Sequence, residues 1–341
     1  MICATDALPR PARIPSLRRT EPPRRALVSI YNRLMDDRSA LSAGLDARSP
    51  LPSFVPRAMT DIVPGQPLIA FKDVRLGFGE GDILRGVSFE VWPGETKILI
   101  GESGAGKTLI LKLTAGLLRP GSGGIWVMGQ DVASMSERHL LDFRRNVGFV
   151  FQEGALFDSL TVAENVAFRL REEEVADEEV EKRVREVLRF VELESTLDKY
   201  PAELSGGMRR RVSIARALVD HPPLVLYDSP TAGLDPVTSQ TIITLVLRGR
   251  DLQGVTSLLA TQRLQDAFGL ANFRFDPETG RVERLDGRQP AAASPGAGRN
   301  GGPPPTNLLV LRQGRVYFEG SAEQMLHSSD EYLKNFVVAT E

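Results

Sequence analysis

The chain has 341 residues, room for one large domain or two ordinary ones, and its 42% apolar and 25% charged content is that of a globular protein with a sizeable core. A formal net charge of −2 argues against a dedicated nucleic-acid binder. Cys3 is the only cysteine, which rules out an internal disulfide and permits a cytosolic location. No uninterrupted apolar run approaches the roughly 18 residues of a membrane span, and the N-terminus lacks the apolar core of a signal peptide. If the protein works at a membrane, another chain crosses it.

Residues 1 to about 65 read as a disordered basic arm. Pro9, Pro11, Pro15, Pro22 and Pro23 interrupt a segment that, up to residue 58, carries ten arginines against five acidic residues. Such a composition cannot bury a core. The arm has the charge to lie against anionic lipid. Alternatively Met59, just ahead of the first strand pattern, is the true start, which the intact mass of the native protein would settle.

From Leu68 the pattern turns strand-like, in Leu68–Phe71, Asp73–Leu76 and Val87–Val91, with Gly77, Gly79 and Gly81 as turn signals. A short antiparallel sheet is expected here. Phe78, in the glycine-rich turn, either stacks on a base at the edge of a nucleotide pocket or closes the core of the small sheet.

The apolar run Lys97-Ile98-Leu99-Ile100 then leads into Gly101-Glu102-Ser103-Gly104-Ala105-Gly106-Lys107-Thr108, followed by a helical pattern from Leu109 to Leu118. Strand, glycine-rich loop and helix in that order form the context of a phosphate-binding P-loop. Glycines let successive N–H groups converge, and the helix N-terminus adds partial positive charge. Lys107 would reach the terminal phosphates and Thr108 would ligate Mg²⁺. The competing reading, a strand-to-helix turn that merely needs glycines, does not account for Lys and Thr in register.

Val147 to Phe151 is an apolar run ending in Gln152, where α/β sheets bind ligands. The Gln152 carbonyl would ligate Mg²⁺ or orient water; otherwise it is a strand-end residue facing solvent. Residues 161–199 read as helical, with Val180, Val184, Val187, Leu188 and Val191 on one face. Leu204-Ser205-Gly206-Gly207-Met208 opens a helix from Met208 to about Asp220, and Ser205, Gly206 and Gly207 offer a hydroxyl and free N–H groups to a phosphate oxygen. The buried strand Leu224–Asp228 ends in a carboxylate, the usual second anchor for the metal of a P-loop enzyme. Asp235 lies in the following loop, and Val255–Ala260 is another buried strand reaching Thr261-Gln262-Arg263. Gly287 to Thr306, rich in Gly, Pro and Ala, reads as a flexible insertion.

The ordered set of Gly101–Thr108, Gln152, Leu204–Met208, Leu224–Asp228 and Asp235 resembles the ATP-binding cassette (ABC) ATPases from about residue 68 to about residue 265. The wording of Phe151 through Phe168, with Tyr200–Glu203 and Glu331–Val337, is similar to the ATPase subunit of Mla/Mce-type transporters, which move phospholipid across the bacterial envelope. The resemblance implies an α/β fold with a RecA-like P-loop NTPase core, an antiparallel β subdomain and a helical signature subdomain at about 153–207, all within one domain over 66–341. It implies ATP and Mg²⁺ as ligands. It further implies a head-to-tail dimer of like or unlike chains, a separate permease, a periplasmic lipid-binding subunit, no nucleic acid, and a place at the cytoplasmic face of the inner membrane. Each ATP would lie between one P-loop and the partner's Ser205–Gly207, and the surface from Gln152 to Asn165 would receive the permease.

Two positions depart from the family. Ser229 stands where the family has the glutamate that serves as general base, and Gln262 stands at the switch histidine. Serine cannot take a proton near neutral pH, so the loss is expected to cost about 10²- to 10⁴-fold in rate, roughly 3 to 5 kcal/mol of barrier. A slow ATPase using another carboxylate such as Asp235, a nucleotide-gated subunit that barely hydrolyses, and a partner for a competent cassette all accommodate these departures. A soluble cassette protein acting outside transport is a further alternative.

Overall fold

The computed structural model describes residues 65–79, 81–285 and 306–339. The expectations for the N-terminal arm and for the insertion at about 287–306 concern residues outside these, apart from the margins at Gly65 and Thr306.

The chain opens with β1 (Ile69–Gly77) and β2 (Asp82–Val91), then the fully buried β3 (Thr96–Gly101) and α1 (Lys107–Thr114). Leu68–Phe71 and Asp73–Leu76, read as two strands, lie in one. A register shift between Phe71 and Val74 interrupts the pairing, and Asp73 adopts φ 46° there. Next come β4 (Ser122–Val127), β5 (Gln130–Asp131), α2 (Glu137–Arg144) and β6 (Val147–Val150). β1, β2, β4 and β5 form the expected small antiparallel sheet, in the order β2-β1-β4-β5.

Helices α3 (Val162–Glu172) and α4 (Asp177–Phe190) build the helical part. Thr161 and Glu164 start α3 with a reciprocal capping box. α4 buries the stripe Val180, Val184, Val187 and Leu188 read from its periodicity. Leu204–Met208 opens α5 (Gly206–Leu218), which begins two residues earlier than the sequence pattern suggested because Ser205 is its N-cap. Then follow β7 (Leu224–Asp228), α6 (Pro236–Gln253), β8 (Thr256–Thr261), α7 (Leu264–Asn272), β9 (Phe273–Asp276) and β10 (Arg281–Arg284). The chain closes through β11 (Thr306–Arg312), β12 (Arg315–Gly320), α8 (Ala322–Leu326) and α9 (Glu331–Ala339).

The central sheet has six strands in the order β12-β11-β3-β8-β7-β6, parallel except for the edge strand β12. Its strands are near-continuous apolar runs because both faces are covered. Alternation divides them: Ile98, Ile100, Val225, Tyr227, Leu308 and Val310 point into a core shared with α3 to α7. Leu99, Leu224, Leu226, Leu258 and Leu309 point into a second core shared with α1 and the antiparallel sheet. The carboxyl ends of β3, β8 and β7 therefore emerge side by side, where ligands bind in parallel α/β sheets.

Candidate functional site

β3 delivers Gly101 into the loop, and the loop closes onto α1. Gly106, at φ +99°, is the N-cap, and a Cβ there would lie 2.4 Å from Leu84 Cδ2. Gly104, at φ +78°, has open space where a Cβ would be. No side chain caps α1 and no acid stands in its first turn. By contrast Ser205 caps α5 and Asp235 caps α6, accepting from the N–H groups of Met208 at 3.2 Å and Thr238 at 3.0 Å. The N-terminus of α1 thus has no side-chain anion of its own, and an external phosphate suits it.

Lys107 is only 6% exposed, and its Nζ donates to the carbonyls of Gly101 (2.7 Å) and Glu102 (2.8 Å). Burial lowers its pKa, and Asp228 and Glu102 oppose that shift. The Thr108 hydroxyl donates to Asp228 Oδ1 at 3.1 Å. Burial pushes the Asp228 carboxyl upward against the pull of Thr108, Lys112 and Lys107. A hydroxyl and a carboxylate beside a phosphate cradle are the oxygen donors that Mg²⁺ takes when phosphates complete its shell. The loop, the ammonium and this oxygen pair fit ATP and Mg²⁺.

Around this centre the remaining positions differ. Ser229 follows β7 at φ 47°, an uncommon conformation for a residue with a side chain. Its N–H donates to the Ala260 carbonyl at 2.8 Å, continuing the β7–β8 pairing. Gln262 is exposed just beyond β8. Gln152 is also exposed, in a turn past β6; that strand stops at Val150, short of the expected end. Asp235 is exposed, and its carboxylate caps α6 through the Thr238 hydrogen bonds that hold its pKa down. Phe78 is 61% exposed and does not close the small sheet's core, where Phe71 and Phe89 stack at 4.7 Å. Ser205 and Gly206 are exposed, while a Cβ on Gly207 would meet Thr238 Cγ2 at 2.3 Å. The Ser205–Gly207 turn therefore packs directly on the start of α6.

Sequence reasoning missed the polar links that hold these loops. Asp266 on α7, 4% exposed, accepts from the hydroxyls of Thr231 and Thr261, the latter at 3.1 Å. Arg263 donates to Ser239 Oγ at 2.9 Å and lies 3.7 Å from Asp266. One buried carboxylate thus joins the loop after β7 to the end of β8. The signal was a single acid inside the apolar run from Leu264 to Ala271. Arg210 and Arg216 of α5 likewise hold the loop carrying Gln152, donating to Phe151 O (2.9 Å), and to Gly154 O (2.9 Å) and Ala155 O (2.7 Å).

The fold, with its phosphate loop between β3 and α1, is that of the ABC ATPase cassettes. Residues 84–232 match the model of the family described as "ABC transporter". A methionine import ATP-binding protein of Rhizobium johnstonii is 38% identical over 225 residues, covering 66% of this chain and 62% of that protein. The Arabidopsis thaliana chloroplastic protein trigalactosyldiacylglycerol 3 is 43% identical over 188 residues, covering 52% of this chain and 54% of the relative. A dimeric post-hydrolysis structure of the cassette MJ0796 with ADP and Pi aligns with TM-score 0.60 and 27% identity, over 74% of this chain and 98% of that one. The chain thus spans little more than half of one curated relative and under two thirds of the other. The Mla/Mce likeness read from residues 151–168 is narrower than what these relatives share, one of them being named for methionine import. No helix among the described residues is long and apolar enough to cross a membrane.

Proposed function

We propose that this chain is the ATP-binding subunit of an ABC transporter, binding ATP and Mg²⁺ and working with a separate transmembrane permease. The observation that carries this reading is the buried Lys107 ammonium beside the Thr108–Asp228 pair, at an α1 N-terminus that no side chain caps. Residues 66–341 act as one cassette. Two copies, or this chain and a second cassette, close head to tail, with the exposed Ser205–Gly206 turn of one facing the phosphates held by the other. MJ0796 was captured as a dimer with ADP and Pi, which supports such an assembly here. The chain sits at the cytoplasmic face of the inner membrane. Hydrolysis is slow, because Ser229 supplies no base and Gln262 no charge. Purified protein is expected to bind ATP, and Lys107→Ala to abolish most of that binding; unchanged binding by the variant would sink the reading.

We infer phospholipid as the cargo, with a periplasmic lipid-binding subunit in the complex. The wording of residues 151–168 supports this, as does the plant relative that bears a glycolipid's name. Import of a small nutrient is a second reading, favoured by the methionine import relative. Mass spectrometry of what co-purifies with the assembled membrane complex separates them: bound phospholipid supports the first, a bound amino acid or anion overturns it.

A further inference from the structure

A cavity of about 430 Å³ runs from the phosphate loop to the C-terminal helix, with Glu102, Ser103 and Ala105 on one side and Arg85, Arg312 and Tyr332 among the rest of its wall. Tyr332, at the start of α9, is held on several sides. The Arg312 guanidinium lies 3.9 Å from its ring centroid, Tyr317 meets it edge-on at 4.9 Å, and Phe336 stacks at 5.9 Å. The Tyr317 hydroxyl donates to Asp330 Oδ2 at 2.7 Å, fixing the residue just ahead of α9. These contacts use the ring and leave its polar tip. The Tyr332 hydroxyl is buried and has no hydrogen-bond partner in the protein. A buried phenol in that state is uncommon in a native structure and calls for a partner from outside the chain. Glu102 of the phosphate loop acts on the same group, adding to the burial that raises its pKa.

We propose that Tyr332 is a specificity-determining residue of the nucleotide site, its hydroxyl hydrogen-bonding the nucleoside part of the triphosphate whose phosphates lie at Gly101–Thr108. This rests on the nucleotide-binding reading given above. The C-terminal helix is then part of the site: the loop grips the phosphates without regard to what they carry, and Tyr332 distinguishes a nucleotide from a bare polyphosphate.

Calorimetric titration of the full chain with ATP·Mg and with inorganic tripolyphosphate·Mg tests the proposal, using wild type, Tyr332→Phe and Lys107→Ala. Tyr332→Phe keeps the ring and its packing, and removing an unpartnered hydroxyl should leave the melting temperature of the nucleotide-free protein equal or higher. The expected result is ATP bound roughly three- to tenfold more weakly by Tyr332→Phe, the value of one hydrogen bond, with tripolyphosphate affinity unchanged. Unchanged ATP affinity overturns the proposal, and so does an equal loss for both ligands, which would mark a structural effect on the loop. If wild type and Lys107→Ala bind both ligands alike, the nucleotide-site reading itself fails and this proposal with it.

Discussion

The Thr108 hydroxyl donates to the Asp228 carboxylate across 3.1 Å, joining the first turn of α1 to the end of β7. The two residues stand 120 positions apart, and in the sheet β8 lies between β7 and β3, the strand that leads into α1. The bond keeps two oxygen donors converged beside a buried ammonium. A divalent cation with phosphates would replace the shared proton contact without any large movement of the backbone.

Lys107→Ala removes the buried cation of the loop. A charge-assisted hydrogen bond is worth about 1.5–3 kcal/mol, so ATP affinity should fall by roughly 10- to 100-fold. Titration calorimetry reads the change. The fold should survive, because the hydrogen bonds of the lysine go to carbonyls of the same loop.

Ser229→Glu places a carboxylate at the position after Asp228. Steady-state phosphate release should rise by about 10²-fold or more, within the range a positioned general base supplies. Gln262 still lacks charge, so full restoration is not expected. Wild-type turnover already equal to the variant's would show that hydrolysis here does not depend on that position.

Gly207→Ala places a methyl 2.3 Å from Thr238 Cγ2. Threonine is stiff about its first torsion, so the overlap should outweigh the helix propensity gained and destabilise the protein by about 1–3 kcal/mol. Thr238→Ser removes the colliding methyl and should recover most of the loss. Urea denaturation of the two single variants and the double variant gives the coupling.

His221 follows α5 at φ 51°, and burial, aided by Arg183, lowers its pKa to about 4. A histidine whose folded pKa lies below its unfolded value near 6.5 takes up protons on unfolding between those values. Stability therefore falls as pH drops from about 6.5 toward 4. At 1.36 kcal/mol per unit, the loss by pH 5 is about 2 kcal/mol. His221→Asn, which tolerates the same backbone conformation, should flatten that dependence in denaturation curves at pH 7 and pH 5. Equal slopes for both proteins would remove histidine as the cause.

Much of the site could be read in one dimension because its chemistry is local. Gly101–Thr108, Ser205–Gly207 and Leu224–Asp228 each combine a strand or helix end with the polar groups placed there, so order and spacing exposed them. Element ends were less legible. Ser205 proved to be a cap that lengthens α5, and the β6 strand stopped at Val150, before Gln152. Both depend on which backbone groups find partners, and side-chain periodicity does not encode that.

The sequence by itself determined the loop, its lysine, the carboxylate that ends β7, the serine that follows it and the parallel core strands, since each is written in contiguous residues. Tertiary structure alone decided that Phe78 is exposed and that Asp235 spends its carboxylate capping α6. It alone put Asp266 under Thr231 and Thr261, and Tyr332 against the loop of Glu102, 230 positions earlier. Such contacts arise where strand ends and helix ends converge in space, and their partners are set by sheet order, which no short-range pattern specifies.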